Sequence, residues 1–243
     1  MVRGEAQVTE LLYQTDSYLR ELEAQVTAVD GQAVALDRTA FYPGGGGQPC
    51  DLGTLADASR SWPVSRVHKA GDAVWHTVAG EPPPAGSRLH ARLDWPRRYG
   101  FMRLHTALHI LCGVIWRDYG AQVTGGNMEP GRARMDFEFE RMQADLVHEI
   151  EARVNAEVAA ARPVSIAILP RQEAFQIPDL IRTKINLLPE GIQEVRTVAI
   201  EGLDLQADGG THVANTREVG RIRVVDYMSK GRINKRLVIA LEP

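Results

Sequence analysis

Up to about residue 95 the chain alternates apolar and polar positions with a period near two, and beyond it the period lengthens to about three and a half. The runs Leu22 to Val29 and Gln32 to Leu36 flank Asp30-Gly31, a dipeptide that supplies the positive φ angles of a two-residue turn, so they predict a β-hairpin. Three more short runs follow, Val64 to His68, Ala73 to Val78 and Arg88 to Leu93, set apart by Ala70-Gly71-Asp72 and by the triple proline Pro82 to Pro84. Turns at that spacing predict a small barrel. After Pro96, Phe101, Leu104, Leu108, Leu111 and Ile115 form one helical stripe, with Met102, His105, His109, Cys112 and Trp116 beside it and Gly120 as a fitting stop. A second helix, roughly Met142 to Ala161, carries Leu146, Ile150, Val154 and Val158 at helical spacing and is halted by Pro163. The β-branched runs Val164 to Leu169, Glu194 to Ile200, Arg221 to Val225 and Leu237 to Leu241 predict strands. The expected class is therefore α+β: a small N-terminal β-barrel over 1–95, then an α+β domain over 96–243 with helices packed on an antiparallel sheet. No internal repeat or low-complexity tract interrupts it.

A chain of 243 residues with 44% hydrophobic content can bury a core of its own. No stretch approaches the roughly 20 apolar residues of a membrane span. Met1 to Arg20 lacks the basic-then-apolar order of a secretory signal, so the expected location is the cytoplasm, with no membrane partner. Cys50 and Cys112 form no paired spacing and are expected to be reduced. The net charge of −3 argues against a protein that simply coats nucleic acid. Local charge differs: between Arg217 and Arg236, seven positive residues (Arg217, Arg221, Arg223, Lys230, Arg232, Lys235, Arg236) face only Glu218 and Asp226, and a second knot, Arg97, Arg98 and Arg103, opens the first long helix. Such runs serve either as solvated faces or as a grip on phosphates.

Two couplets carry the candidate chemistry, His105-Thr-Ala-Leu-His109 and Asp208-Gly-Gly-Thr-His212. Residues four apart on a helix project from one face with about 5–6 Å between β-carbons, so the first couplet is a two-toothed clamp that the second is able to close. An HxxxH couplet alone also serves plain packing, but a second one with an acid and a His across a Gly-Gly pair turns the reading toward a metal. His105, His109, Asp208 and His212 together suit Zn²⁺, which takes imidazole nitrogen and carboxylate oxygen tetrahedrally. The zinc-peptidase alternative fails on one residue, since its HExxH glutamate position holds Thr106. A further string, Phe41-Tyr42-Pro43 followed by Gly44 to Gly47 and Gln48, is either a flexible loop or a place where absent side chains let a ligand come close, with the Gln48 amide at its edge. No Gly-Lys-Ser/Thr follows it, so a P-loop and ATP are not expected. His68, His76, His90 and His148 read as surface or satisfied core histidines, and Cys112 as a small buried hydrophobe.

Three ordered strings together resemble one family: Leu36-Asp-Arg-Thr39-Ala-Phe-Tyr-Pro43 running into the glycines and Gln48, Arg103-Leu-His105-Thr-Ala-Leu-His109, and Gly209-Gly-Thr-His212-Val-Ala-Asn-Thr216. They look like the signatures of the freestanding alanyl-tRNA editing proteins of the AlaX type, which are similar to the editing domain of alanyl-tRNA synthetase. The resemblance spans nearly the whole chain. It implies a β-barrel followed by the second additional domain shared by threonyl- and alanyl-tRNA synthetases, a Zn²⁺ site, and hydrolysis of Ser-tRNA(Ala) and Gly-tRNA(Ala). No motif of the aminoacylation domain is present, so the expected editor acts in trans. One residue departs from the family: Asp208 stands where cysteine is usual, a harder ligand that shifts metal preference and is the candidate labile ligand. His105, His109, Gln48 and Thr39 are the expected catalytic set, with Thr39 as reader of the seryl hydroxyl. Thr39, Gly45, Gly46, Gly47, Arg217 and Arg232 are the expected substrate contacts, the arginine stretch and the Arg97/Arg98 pair gripping tRNA. The alternative is a catalytically inactive tRNA-binding module of the same fold.

Overall fold

The computed structural model describes residues 7–139, 143–182 and 191–242. The chain divides into two compact units, 1–99 and 100–243.

In the first unit the predicted hairpin forms from β2 (Glu21–Asp30) and β3 (Ala33–Leu36), after a short strand β1 (Glu10–Leu11) that pairs in parallel with β4 (Arg38–Thr39). β5 (Gly53–Ala56), β6 (Ser61–Ala70), β7 (Ala73–Val78) and β8 (Arg88–Leu93) complete a closed six-stranded barrel in the order β2-β3-β7-β6-β5-β8. Alternation fills it: Ala24, Val26, Leu89, Ala91 and Leu93 are buried while Arg88, His90 and Arg92 face out. Register shifts between Val26 and Ala28 and between Val64 and Arg66 bend two strands, as bulges do where a small sheet must curl. β5 carries no long apolar run, which is why the sequence pattern passed over it.

The second unit takes up most of α1 (Trp95–Tyr119). Phe101, Leu104, Leu108, Leu111 and Ile115 are all buried, as the stripe predicts, and Gly120 ends the helix at φ +63°. Here the strands fall into two antiparallel sheets. One has the order β14 (Ile222–Ser229), β15 (Asn234–Leu241), β10 (Arg132–Glu138), β9 (Val123–Glu129); the other is β11 (Val164–Pro170), β12 (Glu194–Ile200), β13 (Asp204–Ala207). The β9–β10 hairpin has no counterpart in the sequence pattern, because Gly125 and Gly126 dilute its alternation and have low strand propensity. The second predicted helix is α2 (Ala144–Ala159), with Val147, Ile150 and Val154 buried; Met142 lies outside the described residues. A single turn, α3 (Arg171–Ala174), follows β11. No helix among the described residues is long and apolar enough to cross a membrane.

Candidate metal centre

On α1 the four-residue spacing sets His105 and His109 on one face, their ring centroids 5.2 Å apart. The segment after β13 brings the second couplet to them: His212 lies 4.2 Å from His105 and 4.7 Å from His109, centroid to centroid. Asp208 completes the group, and one ligand atom from each of the four residues lies within 4.8 Å of all the others. The three imidazoles are at most 5% exposed, and the Asp208 side chain is 16% exposed.

Secondary hydrogen bonds fix how each ring is presented. Asp204 Oδ2 accepts from His109 Nδ1 at 3.1 Å, which leaves Nε2 of that ring aimed at Asp208 Oδ2, 4.0 Å away. Gln206 Nε2 donates to the same Asp204 oxygen at 2.6 Å. A carboxylate behind a histidine in this way sets the tautomer and orients the ring of a metal ligand. His212 Nδ1 lies 3.2 Å from Thr106 Oγ1, which also accepts from the Val213 N–H, and His212 Nε2 lies 3.1 Å from Asp208 Oδ1. Asp208 is itself held, Oδ1 accepting from the Gly210 N–H at 2.7 Å and its carbonyl accepting from Arg196 Nη1 at 2.8 Å. Gly113, two turns beyond His105, lets β13 approach the helix: a β-carbon there would lie 2.9 Å from Leu203 Cγ and 3.1 Å from Asp204 Cβ.

Burial lowers His105 to about 4 despite the Asp208 carboxylate, and burial together with His105 holds His212 well below the usual imidazole range. Burial also opposes charge on His109, but the hydrogen bond and charge of Asp204, with Asp208 behind them, raise its pKa above the ordinary value. For Asp208 burial works against ionisation, yet His105 and the His212 hydrogen bond keep its carboxyl well below the carboxylate range. The result is a part-buried carboxylate beside three imidazoles, a donor set that fits a divalent cation taking nitrogen and oxygen ligands. Asp204, Thr106 and Arg196 were absent from the sequence-based set; only proximity in the fold identifies them. Cys112, on the same helix, is buried and its thiol pushed up by that burial, in keeping with a packing role.

The glycine string is a fixed turn in the first unit. Gly45 and Gln48 exchange backbone hydrogen bonds of 3.0 and 2.9 Å around Gly46 and Gly47, whose φ angles of +55° and +86° are those of a tight hairpin turn. Tyr42 Oη donates to the Gly45 carbonyl. Gly45 and Gly46 are exposed, whereas Gln48 is 2% exposed. Thr39 is fully buried, its Oγ1 accepting from the Phe41 N–H and lying 2.9 Å from His76 Nε2. Because His76 Nδ1 meets the Val34 carbonyl, the neutral ring has Nε2 as acceptor and Thr39 as its donor, which leaves one lone pair on the hydroxyl.

The arginines require correction. Arg98, expected to grip tRNA, is 0% exposed: it pairs with Asp51, donates to the carbonyls of Ser17 and Ala40, and so anchors the backbone on either side of the glycine turn. Arg97 is half-buried and donates to the Cys50 carbonyl. Arg103 donates to the carbonyls of Val219 and Glu242. In the basic stretch Lys235 is buried against the carbonyls of Gly231 and Arg232, Arg236 and Lys230 pair with Asp136, and Arg221 and Arg223 pair with Glu242. Among the described residues, Arg217 and Arg232 are exposed and have no ion pair.

Comparison with known proteins places these features in context. Residues 3–97 match the family described as tRNA synthetases class II (A), and residues 195–238 match the threonyl and alanyl tRNA synthetase second additional domain. The chain is 38% identical over 241 residues to the alanyl-tRNA editing protein AlaX-M of Methanosarcina barkeri, covering 96% of this chain and 99% of that protein. It is 37% identical over 239 residues to the AlaX-M of Saccharolobus solfataricus, covering 97% and 100%. It is also 38% identical over 224 residues to the alanine–tRNA ligase of Pyrobaculum aerophilum, covering 89% of this chain and 25% of the ligase.

Proposed function

This chain belongs to the alanyl-tRNA editing proteins of the AlaX type, and on that premise we propose that it deacylates mischarged tRNA(Ala) in trans, with Ser-tRNA(Ala) as main cargo and Gly-tRNA(Ala) as a second. Water adds to the ester carbonyl, the bond from the acyl carbon to the ribose oxygen of the terminal adenosine breaks, and the amino acid leaves while the ribose oxygen takes up the proton. The observation that carries this reading is the convergence of His105, His109, His212 and Asp208 from segments about a hundred residues apart.

Those four residues are the proposed holders of a zinc ion, which when bound supplies Lewis acidity toward a carbonyl or a water. Asp204 keeps His109 turned with Nε2 toward the centre, and Thr106, by holding Nδ1 of His212, leaves Nε2 of that ring beside Asp208. Asp208, the most exposed of the four, would be the most weakly held ligand of such an ion. The backbone of Gly45, Gly46 and Gly47 and the amide of Gln48 are proposed as substrate contacts, and Arg217 and Arg232 as phosphate contacts, the two being supported by their exposure and lack of ion partners. Thr39 is proposed to read the seryl hydroxyl with its remaining lone pair. A site that bonds a hydroxyl is left with an unpaired polar group when alanine replaces serine, and discrimination arises that way.

The test is deacylation of Ser-, Gly- and Ala-tRNA(Ala) by the purified chain, with and without chelator. Expected are rapid loss of serine, slower loss of glycine, sparing of alanine, and arrest by chelator reversed with zinc. Intact Ser-tRNA(Ala) at protein excess would make the chain a tRNA-binding module, and turnover indifferent to chelator would remove the metal. In Thr39→Val the serine-over-alanine preference should fall about tenfold or more; an unchanged preference strips Thr39 of the role.

A further inference from the structure

We propose a second RNA contact, a cleft in the first unit that receives one unpaired nucleotide of the tRNA, with Trp95 as stacking face and Arg20 and Arg92 as phosphate ligands. It rests on the reading above that the substrate is a tRNA, and it involves none of the residues assigned there.

The cleft has a volume of about 620 Å³ and is lined by Arg20, Glu21, Arg92, Asp94, Trp95 and Pro96 among others. That is ample for a single nucleotide, at the middle of the roughly 300–1,000 Å³ range of small-ligand sites. Strand pairing builds it. Glu21 on β2 lies opposite Arg92 on β8, and the Leu93 N–H donates to the Arg20 carbonyl, so the two arginines leave neighbouring strands beside the start of α1. The Arg20 guanidinium lies 4.2 Å from the centroid of the Trp95 ring. Tyr99 stacks on Trp95 at 5.6 Å and 24°, and Tyr18 stands 6.1 Å away, so the tryptophan is braced within an aromatic group while remaining partly exposed.

Charge separates this cleft from an ordinary solvated surface. Of its two acids, Glu21 lies 3.5 Å from the His90 ring, and Asp94 Oδ1 accepts the Arg97 N–H at the first turn of α1. Its two arginines are exposed, and no ion pair to either is found among the described residues. Guanidinium groups without an ion pair beside an aromatic ring are how single-stranded nucleotides are held, base on ring and phosphate on arginine, and here a base would take the place of Arg20 over Trp95. The much longer basic stretch near the C-terminus spends most of its charge on internal pairs.

The experiment uses the full chain and compares wild type with Arg20→Ala, Arg92→Ala and Trp95→Phe, after checking that thermal midpoints agree. Readouts are kcat and KM for Ser-tRNA(Ala), the affinity for uncharged tRNA(Ala) across a salt series, and tryptophan fluorescence on adding that tRNA. Each arginine variant is expected to raise KM and Kd roughly tenfold with kcat held, and to reduce the slope of log Kd against log salt by about 0.7–0.9. Wild-type fluorescence is expected to quench on tRNA addition, and the quench to be lost in Trp95→Phe. Unchanged KM, Kd and salt slope in both arginine variants of a chain that deacylates normally would overturn the cleft and leave the proposed function standing. A wild-type chain that neither binds uncharged tRNA(Ala) nor deacylates Ser-tRNA(Ala) would overturn that function, and the cleft with it.

Discussion

Two of the carboxylates that the described residues withdraw from water, Asp51 and Asp208, are kept there differently. Asp51, in the barrel unit, is 1% exposed; both its oxygens meet the guanidinium of Arg98, and one also accepts the Tyr42 N–H. Asp208, in the second unit, faces three imidazoles, and the Arg196 guanidinium comes no nearer its carboxylate than 3.9 Å. A permanent cation has closed the first site. The second sets a negative charge beside three imidazoles, which is a capacity for a cation and not a completed bond. Burial of a charge is therefore no guide to function until its partner has been named.

The sharpest way to break the comparison is to remove the barrel's cation. Arg98→Met should destabilise the protein by about 3–5 kcal/mol, since it strands Asp51 in the interior, while the double variant Arg98→Met/Asp51→Asn should recover a good part of that loss. Denaturant titration measures both; equal midpoints for wild type and Arg98→Met would deny the pair its structural role. A pH series comes next. Burial lowers His76 to about 4, with the nearby charge of His68 acting in the same direction against the Val34 hydrogen bond. Its unfolded value is near 6.5, so its stabilising effect is whole above pH 6.5 and is lost as pH falls from there toward 4, roughly 3 kcal/mol in all. His76→Gln should flatten that part of the stability profile, and a profile of unchanged slope would contradict it. The smallest effect belongs to the second carboxylate's neighbourhood. Asp204→Asn should weaken the proposed zinc binding by about 10–100-fold with little change in folding, read by competition with a metallochromic chelator. Undiminished affinity would show that His109 needs no orienting partner.

Much of this was legible from the residues. Period-two runs and Asp30-Gly31 gave the first hairpin, the stripe from Phe101 to Ile115 gave α1, and the two couplets gave four candidate ligands that the fold brings together. These are local signals, carried by spacing along one element. What escaped is non-local or weakly patterned. Asp204 sits in an unremarkable Leu-Asp-Leu and acquires meaning only because β13 passes beside His109. Arg98 reads as surface charge next to Arg97, yet it is buried against Asp51 while Arg97 bonds the Cys50 carbonyl. The β9–β10 hairpin has glycines where strand formers are expected, and charge counting along the Arg217 to Arg236 stretch cannot reveal that Asp136, far off in sequence, neutralises part of it.

Gly113 has a consequence beyond close packing. The absent side chain sets the separation between the long helix and the start of β13, and that separation lets Asp204 reach His109 Nδ1 at 3.1 Å. A methyl group at this position would wedge the strand outward and lengthen that bond, and the ring would then be at liberty to flip or to carry its proton on the opposite nitrogen. An atom missing one turn along the helix thus governs which lone pair His109 offers.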